Sequence, residues 1–267
     1  MLGCRTRLTG GYGGPVVRDV WAAADAYEAY VGRWSRQVAA RFVGWLAVPP
    51  GRRWLDVGCG TGALSAAARA AGGIVTGVDP SRGFLRAGGR DVVVGDARAL
   101  PFRSGRFDAV VSGLALNFVP DADRAVAECV RVAAPGATVA AYVWDYAEGM
   151  TMMRLFWDAA REVDPAAPDE GSRFPLCRPE PLAEAWRAAG LTEVTVEPID
   201  ITTRFAGFDE YWAPFLGGQG PAPAYLMSLP EPVRLDLREA LRARLPAGEI
   251  HLTARAWAVR GVCLPAS

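Results

Sequence analysis

Between Arg53 and Ser65 the chain reads RWLDVGCGTGALS, with glycines at 58, 60 and 62 between a short apolar run and an alanine-rich one. Glycines so placed let a chain turn sharply and let a ligand approach the backbone with no Cβ in the way. The spacing is GxGxG and not the GxGxxG of a dinucleotide fingerprint. Asp79, in TGVDPS, closes the next apolar run. A carboxylate there can accept hydrogen bonds from both ribose hydroxyls of an adenosine ligand, whichever cofactor carries it. GDARALPF, residues 95–102, puts Asp96 where it can accept from an adenine amino group. FDAVVSGLALNFVPD, from Phe107, aims a strand end and a short loop at the same crevice, and makes Asn117 and Phe118 candidate substrate contacts. Each feature has a plainer structural explanation: a tight strand-to-helix connection at the glycines, a helix N-cap at Asp79, a turn-former at Asp96.

These residues work together only if strands deliver them to one edge. Residues 1–18 are glycine-rich without periodicity and are expected to be a flexible N-terminus. Residues 19–47 show helical spacing, ended by Pro49 and Pro50. Short apolar strands at 54–57, 74–78, 92–94, 107–112 and 137–144 then alternate with helices at 63–71, 81–88 and 121–133. Short buried strands alternating with helices predict an α/β fold with a mostly parallel, Rossmann-like sheet and helices on both faces. Further on, helices are expected near 150–162, 179–189 and 231–245, and β-pattern at 193–205 and 250–259. The last two strands would close a seven-stranded sheet as an antiparallel hairpin. The simplest organisation is a single domain over 19–267, with a small cap from insertions at about 147–178 and 206–249.

Those four segments, in that order, resemble the class I S-adenosylmethionine (SAM)-dependent methyltransferases, in particular a small-molecule subgroup similar to the methyltransferase domain 11 type. YEAYVGRWSR, residues 27–36, resembles an upstream helix of that subgroup. The resemblance implies that Gly58, Gly60 and Gly62 line the methionine part of the cofactor, with Cys59 between them, and that Asp56 orients its amino-acid end through the turn. It implies Asp79, with Pro80 and Ser81, at the ribose, Asp96 and Ala97 at the adenine, and a backbone contact from Leu114. The helix bearing Tyr30, Arg33 and Trp34 would close over the sulfonium, where an aromatic face favours positive charge; the alternative is an amphipathic helix that simply packs on the sheet. The reaction implied is transfer of the SAM methyl group to an O, N or C atom of a small organic molecule such as a specialised metabolite, leaving S-adenosylhomocysteine. LALNFVPD lacks the Asp/Asn-Pro-Pro-Tyr/Phe motif of amino-methylating nucleic-acid enzymes, which argues against adenine-directed chemistry.

His251 is the single histidine. A final strand entering from the carboxyl edge would start it near the pocket rim, where it could act as general base. The insertion at 206–249 would then lie over the substrate, with Gly217, Gly218 and Gly220 as lid hinges. Aromatics crowd both insertions: Phe156, Trp157, Phe205, Phe208, Tyr211, Trp212, Phe215 and Tyr225. Core packing explains many of them. Trp144, Trp157, Tyr211 and Trp212 are the candidates to wall an apolar acceptor pocket.

Composition narrows the partners. Net charge is zero and no dense basic block occurs, which argues against nucleic acid and anionic membranes. All 29 basic residues are arginine, so no lysine can serve as Schiff base or general base. Five scattered cysteines show no CxxC spacing, so no metal site or disulfide framework is expected. With no signal-like or membrane-length apolar run, a cytoplasmic monomer or homodimer is expected. A SAM-binding protein that catalyses a cyclisation, a nicotinamide-dependent oxidoreductase and a non-catalytic interaction module remain as alternative readings.

Overall fold

The computed structural model of the chain describes residues 32–81, 91–217 and 220–264. Tyr30, Gly218, the expected flexible N-terminus and most of the helix expected at 81–88 lie outside them.

The expected alternation is present: α1 (Arg33–Leu46), β1 (Arg53–Val57), α2 (Ala63–Ala70), β2 (Ile74–Asp79), β3 (Val92–Val94), β4 (Phe107–Gly113), α3 (Ala122–Val132) and β5 (Ala133–Trp144). There follow α4 (Thr151–Val163), α5 (Pro179–Ala188), β6 (Thr192–Phe205), α6 (Pro221–Ser228), α7 (Glu231–Arg242) and β7 (Ile250–Val262). The sheet order is β3-β2-β1-β4-β5-β7-β6. Pairing is parallel from β3 through β5, and only β7 runs against the others. The chain leaves β1 toward β2 and β3, then crosses back so that β4 lies on the other side of β1. That reversal opens a crevice at the carboxyl edge between β1 and β4, where doubly wound sheets bind ligands.

Alternation along each strand sends side chains to opposite faces. Trp54, Ala109 and Val111 join a core with Val38 and Phe42 of α1, Leu64 of α2 and Phe156 of α4. Leu55, Phe107 and Val110 join a second core with Val126 and Cys129 of α3 and Leu182 and Trp186 of α5. Helices therefore cover both faces. Inter-strand ties are also polar: Arg53 holds Asp108 with paired 2.9 and 3.1 Å hydrogen bonds, and the guanidinium keeps that carboxyl down at about 2.

Two stretches carry more helix than their patterns predict. Glu170–Arg173 is a single turn, and 207–229 contains another turn, Phe208–Trp212, as well as α6. Such short turns contain too few residues to show a helical period, and α6 begins on Pro221 in its first turn. The insertion after β6 packs its aromatics on α4: Phe215 stacks on Phe156 with ring centres 4.6 Å apart. Asp169 ties the Glu170 turn to α4, accepting from Arg154 at 2.6 Å. Beside it the Trp157 indole N–H donates to the Glu170 carboxyl at 2.7 Å.

Glu170 is 2% exposed, and burial pushes its carboxyl up to about 7. Folding therefore retains this proton over a range where the unfolded chain, with an ordinary carboxyl, has lost it. Stability contributed by the protonated form is present at acid pH and is lost as pH rises toward 7. Glu170→Gln keeps the acceptor for Trp157 and removes the titration. Denaturant unfolding is expected to show little difference between variant and wild type at pH 5, and a variant stabler by about 1–3 kcal/mol at pH 8. A constant difference across that range would contradict the assignment.

Candidate functional site

β1 ends in the glycine turn, and the turn is fastened to β2. Gly58 N–H and Cys59 N–H both donate to the Val78 carbonyl, at 2.8 and 3.1 Å. The Asp79 carboxylate accepts from Gly60 N–H at 3.0 Å through one oxygen and from Ser81 N–H at 2.8 Å through the other. Gly58 has φ +73°, and a Cβ there would stand 2.4 Å from the Ala115 methyl. Gly60 has φ +50°, and a Cβ there would meet nothing within 4 Å, although the residue borders the cavity. The first glycine is required by packing and the second leaves room for something else. Gly62 turns the chain into α2.

Beneath the turn lies Asp56, fully buried. One carboxyl oxygen accepts from the Ser65 hydroxyl at 2.7 Å, and the other, Oδ1, has no hydrogen-bond partner. Burial pushes this carboxyl up to about 6, against the opposing effect of the Ser65 bond. Burial also raises the Cys59 thiol well above its ordinary value, so Cys59 is a neutral packing group and not a nucleophile.

β3 delivers Asp96 next to Asp79, since Asp79 and Val94 are register partners. The Asp96 loop is clamped by α3. Glu128 accepts from Leu100 N–H at 2.8 Å, Arg131 donates to the Leu100 and Phe102 carbonyls, and Arg124 donates to the Arg98 carbonyl. Asp96 accepts from the Arg98 guanidinium at 2.7 Å, which lowers its pKa. At the end of β4, Leu114 adopts φ +60°, a left-handed conformation costing about 1 kcal/mol in a non-glycine residue. Its N–H donates to the Tyr142 carbonyl at 2.8 Å, which fixes the exit of the 114–118 loop.

All of these elements border one cavity of about 1440 Å³. Of the residues the sequence assigns to cofactor and acceptor, Asp56, Gly58, Cys59, Gly60, Asp79, Pro80, Ser81, Asp96, Ala97, Leu114, Asn117 and Phe118 line it; Gly62 does not, although its neighbours Thr61 and Ala63 do. Its volume exceeds the roughly 300–1,000 Å³ of a single-ligand pocket, which leaves space for a second molecule beside a cofactor. Among the contributors that were not anticipated, some come from elements the sequence did not direct to the site. Ser35 comes from α1, Tyr142 from β5, and Arg173 and Phe174 from the turn after α4. SRFPLCRP carries no chemical motif, and only its place after β5 could have flagged Arg173.

Several expectations are corrected. Arg33 does not line the cavity: it lies over the Trp34 and Phe205 rings, 4.4 and 5.0 Å from their centres, and pairs with Glu210 at 2.7 Å. The cavity instead receives Ser35, two residues on and roughly 200° around the helix. His251 lies beyond the end of β5, since Trp144 is already opposite Ala256, and it pairs with Arg204 on the free extension of the hairpin. Its imidazole is 46% exposed, 3.1 Å from Glu249 and outside the cavity lining, so its position gives no ground for a base. Trp144, Trp157, Tyr211 and Trp212 are core. Trp157 is bonded to Glu170, the Tyr211 hydroxyl donates to the Met152 carbonyl at 2.9 Å, and Trp212 stacks on Phe208. No described residue of the 206–249 insertion belongs to the lining; the 147–178 insertion contributes Arg173 and Phe174.

Comparison with known proteins agrees with this geometry. A family described as a methyltransferase domain matches residues 55–141. A demethylmenaquinone methyltransferase of Roseiflexus sp. is 36% identical over 174 residues, covering 56% of this chain and 72% of that protein. One of Renibacterium salmoninarum is 41% identical over 109 residues, 39% of this chain, so the match spans only 44% of that relative's length. Among solved structures, a SAM-dependent methyltransferase of Thermotoga maritima, described as a possible histamine N-methyltransferase, aligns with a TM-score of 0.56 at 18% identity. That alignment covers 91% of this chain and 97% of the other, and shows a shared fold.

The two glycines make separable predictions. Gly58→Ala combines a left-handed alanine with a collision at Ala115 and is expected to lose about 2–4 kcal/mol of stability in denaturant unfolding. Gly60→Ala should lose only about 1 kcal/mol from backbone strain, yet bind S-adenosylhomocysteine at least tenfold more weakly by calorimetry. Equal stability of the two variants would refute the packing argument.

Proposed function

The chain belongs to the class I S-adenosylmethionine-dependent methyltransferases, and from that premise we propose that it transfers the SAM methyl group to an oxygen, nitrogen or carbon atom of a small organic molecule. One observation carries the reading: Asp79 and Asp96 border the same cavity as the glycine turn, at the carboxyl edge of the parallel sheet. The residues fit the cofactor. Gly60 leaves unfilled space where a Cβ would stand, and the buried Asp56 Oδ1 has no partner of its own. The cofactor, when bound, supplies a methyl carbon already activated by its attachment to a sulfonium.

Each residue has a defined task in this reading. Asp79 is held by two backbone N–H groups and keeps lone pairs for ribose hydroxyls. Asp96, fixed by Arg98 and by the α3 clamp on its loop, faces the base. Asp56 sets a negative potential under the turn for a cationic amino-acid end. Leu114 and its loop bound the face from which the acceptor approaches. The sole histidine lies outside the cavity, so alignment and exclusion of water carry the rate more than general-base help does. The glycine turn, Asp79 and Asp96 would hold the cofactor so that its methyl could pass to the acceptor atom, with the carbon–sulfur electron pair left on sulfur and the acceptor's proton released to solvent.

Calorimetry is expected to show S-adenosylhomocysteine binding and no response to NAD. Asp79→Asn should weaken that binding by about 10- to 100-fold, the loss of charge-assisted hydrogen bonds worth roughly 1.5–3 kcal/mol. Product formed from a candidate substrate without release of S-adenosylhomocysteine would instead indicate a cyclisation or another non-transfer reaction.

Affinity should also depend on pH through Asp56. With its carboxyl near 6, the group is ionised at neutral pH and attracts the ligand ammonium; below 6 it is neutral. S-Adenosylhomocysteine affinity is therefore expected to fall progressively as pH drops from 7 to 5, and Asp56→Asn should flatten the profile. An unchanged slope in that variant would remove Asp56 from the binding role.

A further inference from the structure

The acceptor side of the cavity has a chemistry distinct from its adenosine side. In the sheet, Asp79 and Asp96 mark the β2–β3 end, while the turn bearing Arg173 follows β5 on the far side of the β1/β4 crevice. Among the described residues, two arginines line the cavity. Arg98 is consumed by Asp96 at 2.7 Å. Arg173 lies over the Phe174 ring and, among the described residues, forms no salt bridge; Glu170 feels its charge but gives its hydrogen bond to the Trp157 indole. An exposed arginine at a cavity wall whose guanidinium is not held in a salt bridge is a ready partner for an oxyanion.

Two further features stand beside it. Phe174, next in the chain, meets Phe118 edge-to-face with ring centres 5.2 Å apart, and Tyr146 lies 5.7 Å from Phe174 on another side. Phe118 and Phe174 both belong to the lining, and aromatic walls select flat apolar bodies. Asn117, adjacent to Phe118, buries its carboxamide oxygen Oδ1 in the lining without a hydrogen-bond partner. A buried acceptor of this kind is costly unless a ligand donates to it.

We propose that the acceptor is a planar aromatic molecule bearing an anionic group, whose oxyanion pairs with Arg173 while its hydroxyl donates to Asn117 Oδ1 and its ring lies against Phe118 and Phe174. This inference rests on the methyl-transfer reading above. It assigns Arg173 as the residue that determines acceptor charge.

The test uses the full-length protein saturated with S-adenosylhomocysteine. One- and two-ring hydroxyaryl carboxylates are titrated calorimetrically, each against its primary amide. Wild type is expected to bind an acid at least tenfold more tightly than its amide. Arg173→Gln should abolish that preference, Arg173→Lys should retain part of it, and both should bind S-adenosylhomocysteine as wild type does. Asn117→Ala should weaken hydroxyaryl acids more than the corresponding deoxy acids. If wild type fails to bind S-adenosylhomocysteine, the methyl-transfer reading falls and this inference with it. If it binds but acids and amides behave alike or neither binds, or if Arg173→Gln keeps the preference or weakens S-adenosylhomocysteine, the charge assignment alone is overturned.

Discussion

The site depends on one carboxylate serving two pieces of chain. Asp79 sits at the end of β2, yet one of its oxygens is bound by the N–H of Gly60, a residue of the turn that ends β1. This bond spans neighbouring strands, so the turn and the acid form a single rigid element. It also fixes the carboxylate at the cavity wall. The Val78 carbonyl, which receives two N–H groups from the same turn, secures the joint from below. Around that joint the rest is supporting construction. β3 places Asp96 alongside, α3 clamps the loop that carries it, and β4 brings Leu114 to the opposite lip.

Most of this could be read before any coordinates. Strands buried on both faces are predominantly apolar, so Trp54–Val57, Ile74–Val78 and Phe107–Ser112 announce themselves without neighbours. The glycine spacing and the two acids are legible for a related reason: backbone approach and hydroxyl recognition each tolerate few residue types. The final hairpin was likewise visible in its alternation, and its observed bounds, Thr192–Phe205 and Ile250–Val262, stay close to those read from the pattern.

What stayed hidden concerned phase and direction. YVGRWSRQ shows a helix, but which residue faces the cavity depends on how the helix rolls on the sheet, and Ser35 rather than Arg33 was turned inward. His251 was placed on the correct strand and in the correct hairpin. The hairpin simply runs past the end of β5, carrying the imidazole into solvent. The cap aromatics obeyed the ordinary demand of apolar surface for apolar surface, with Phe156, Phe215 and Trp157 satisfying one another before any ligand. Arg173 has a bland sequence context, and its prominence comes wholly from what the fold places opposite it.

The contact between Gly58 and Ala115 has a wider consequence. In the proposed methyl transfer, position 58 would belong to the turn beneath the methyl donor, and position 115 to the loop that meets the recipient; both border the cavity. Because the space between them holds only the Ala115 methyl group, that one carbon would set the spacing of donor and recipient on this reading. Variation that reshapes the recipient's loop for a new molecule is therefore free at its tip, at 117 and 118, and restricted at its base. On that reading the fold could diversify its choice of partner while its transfer distance stays fixed.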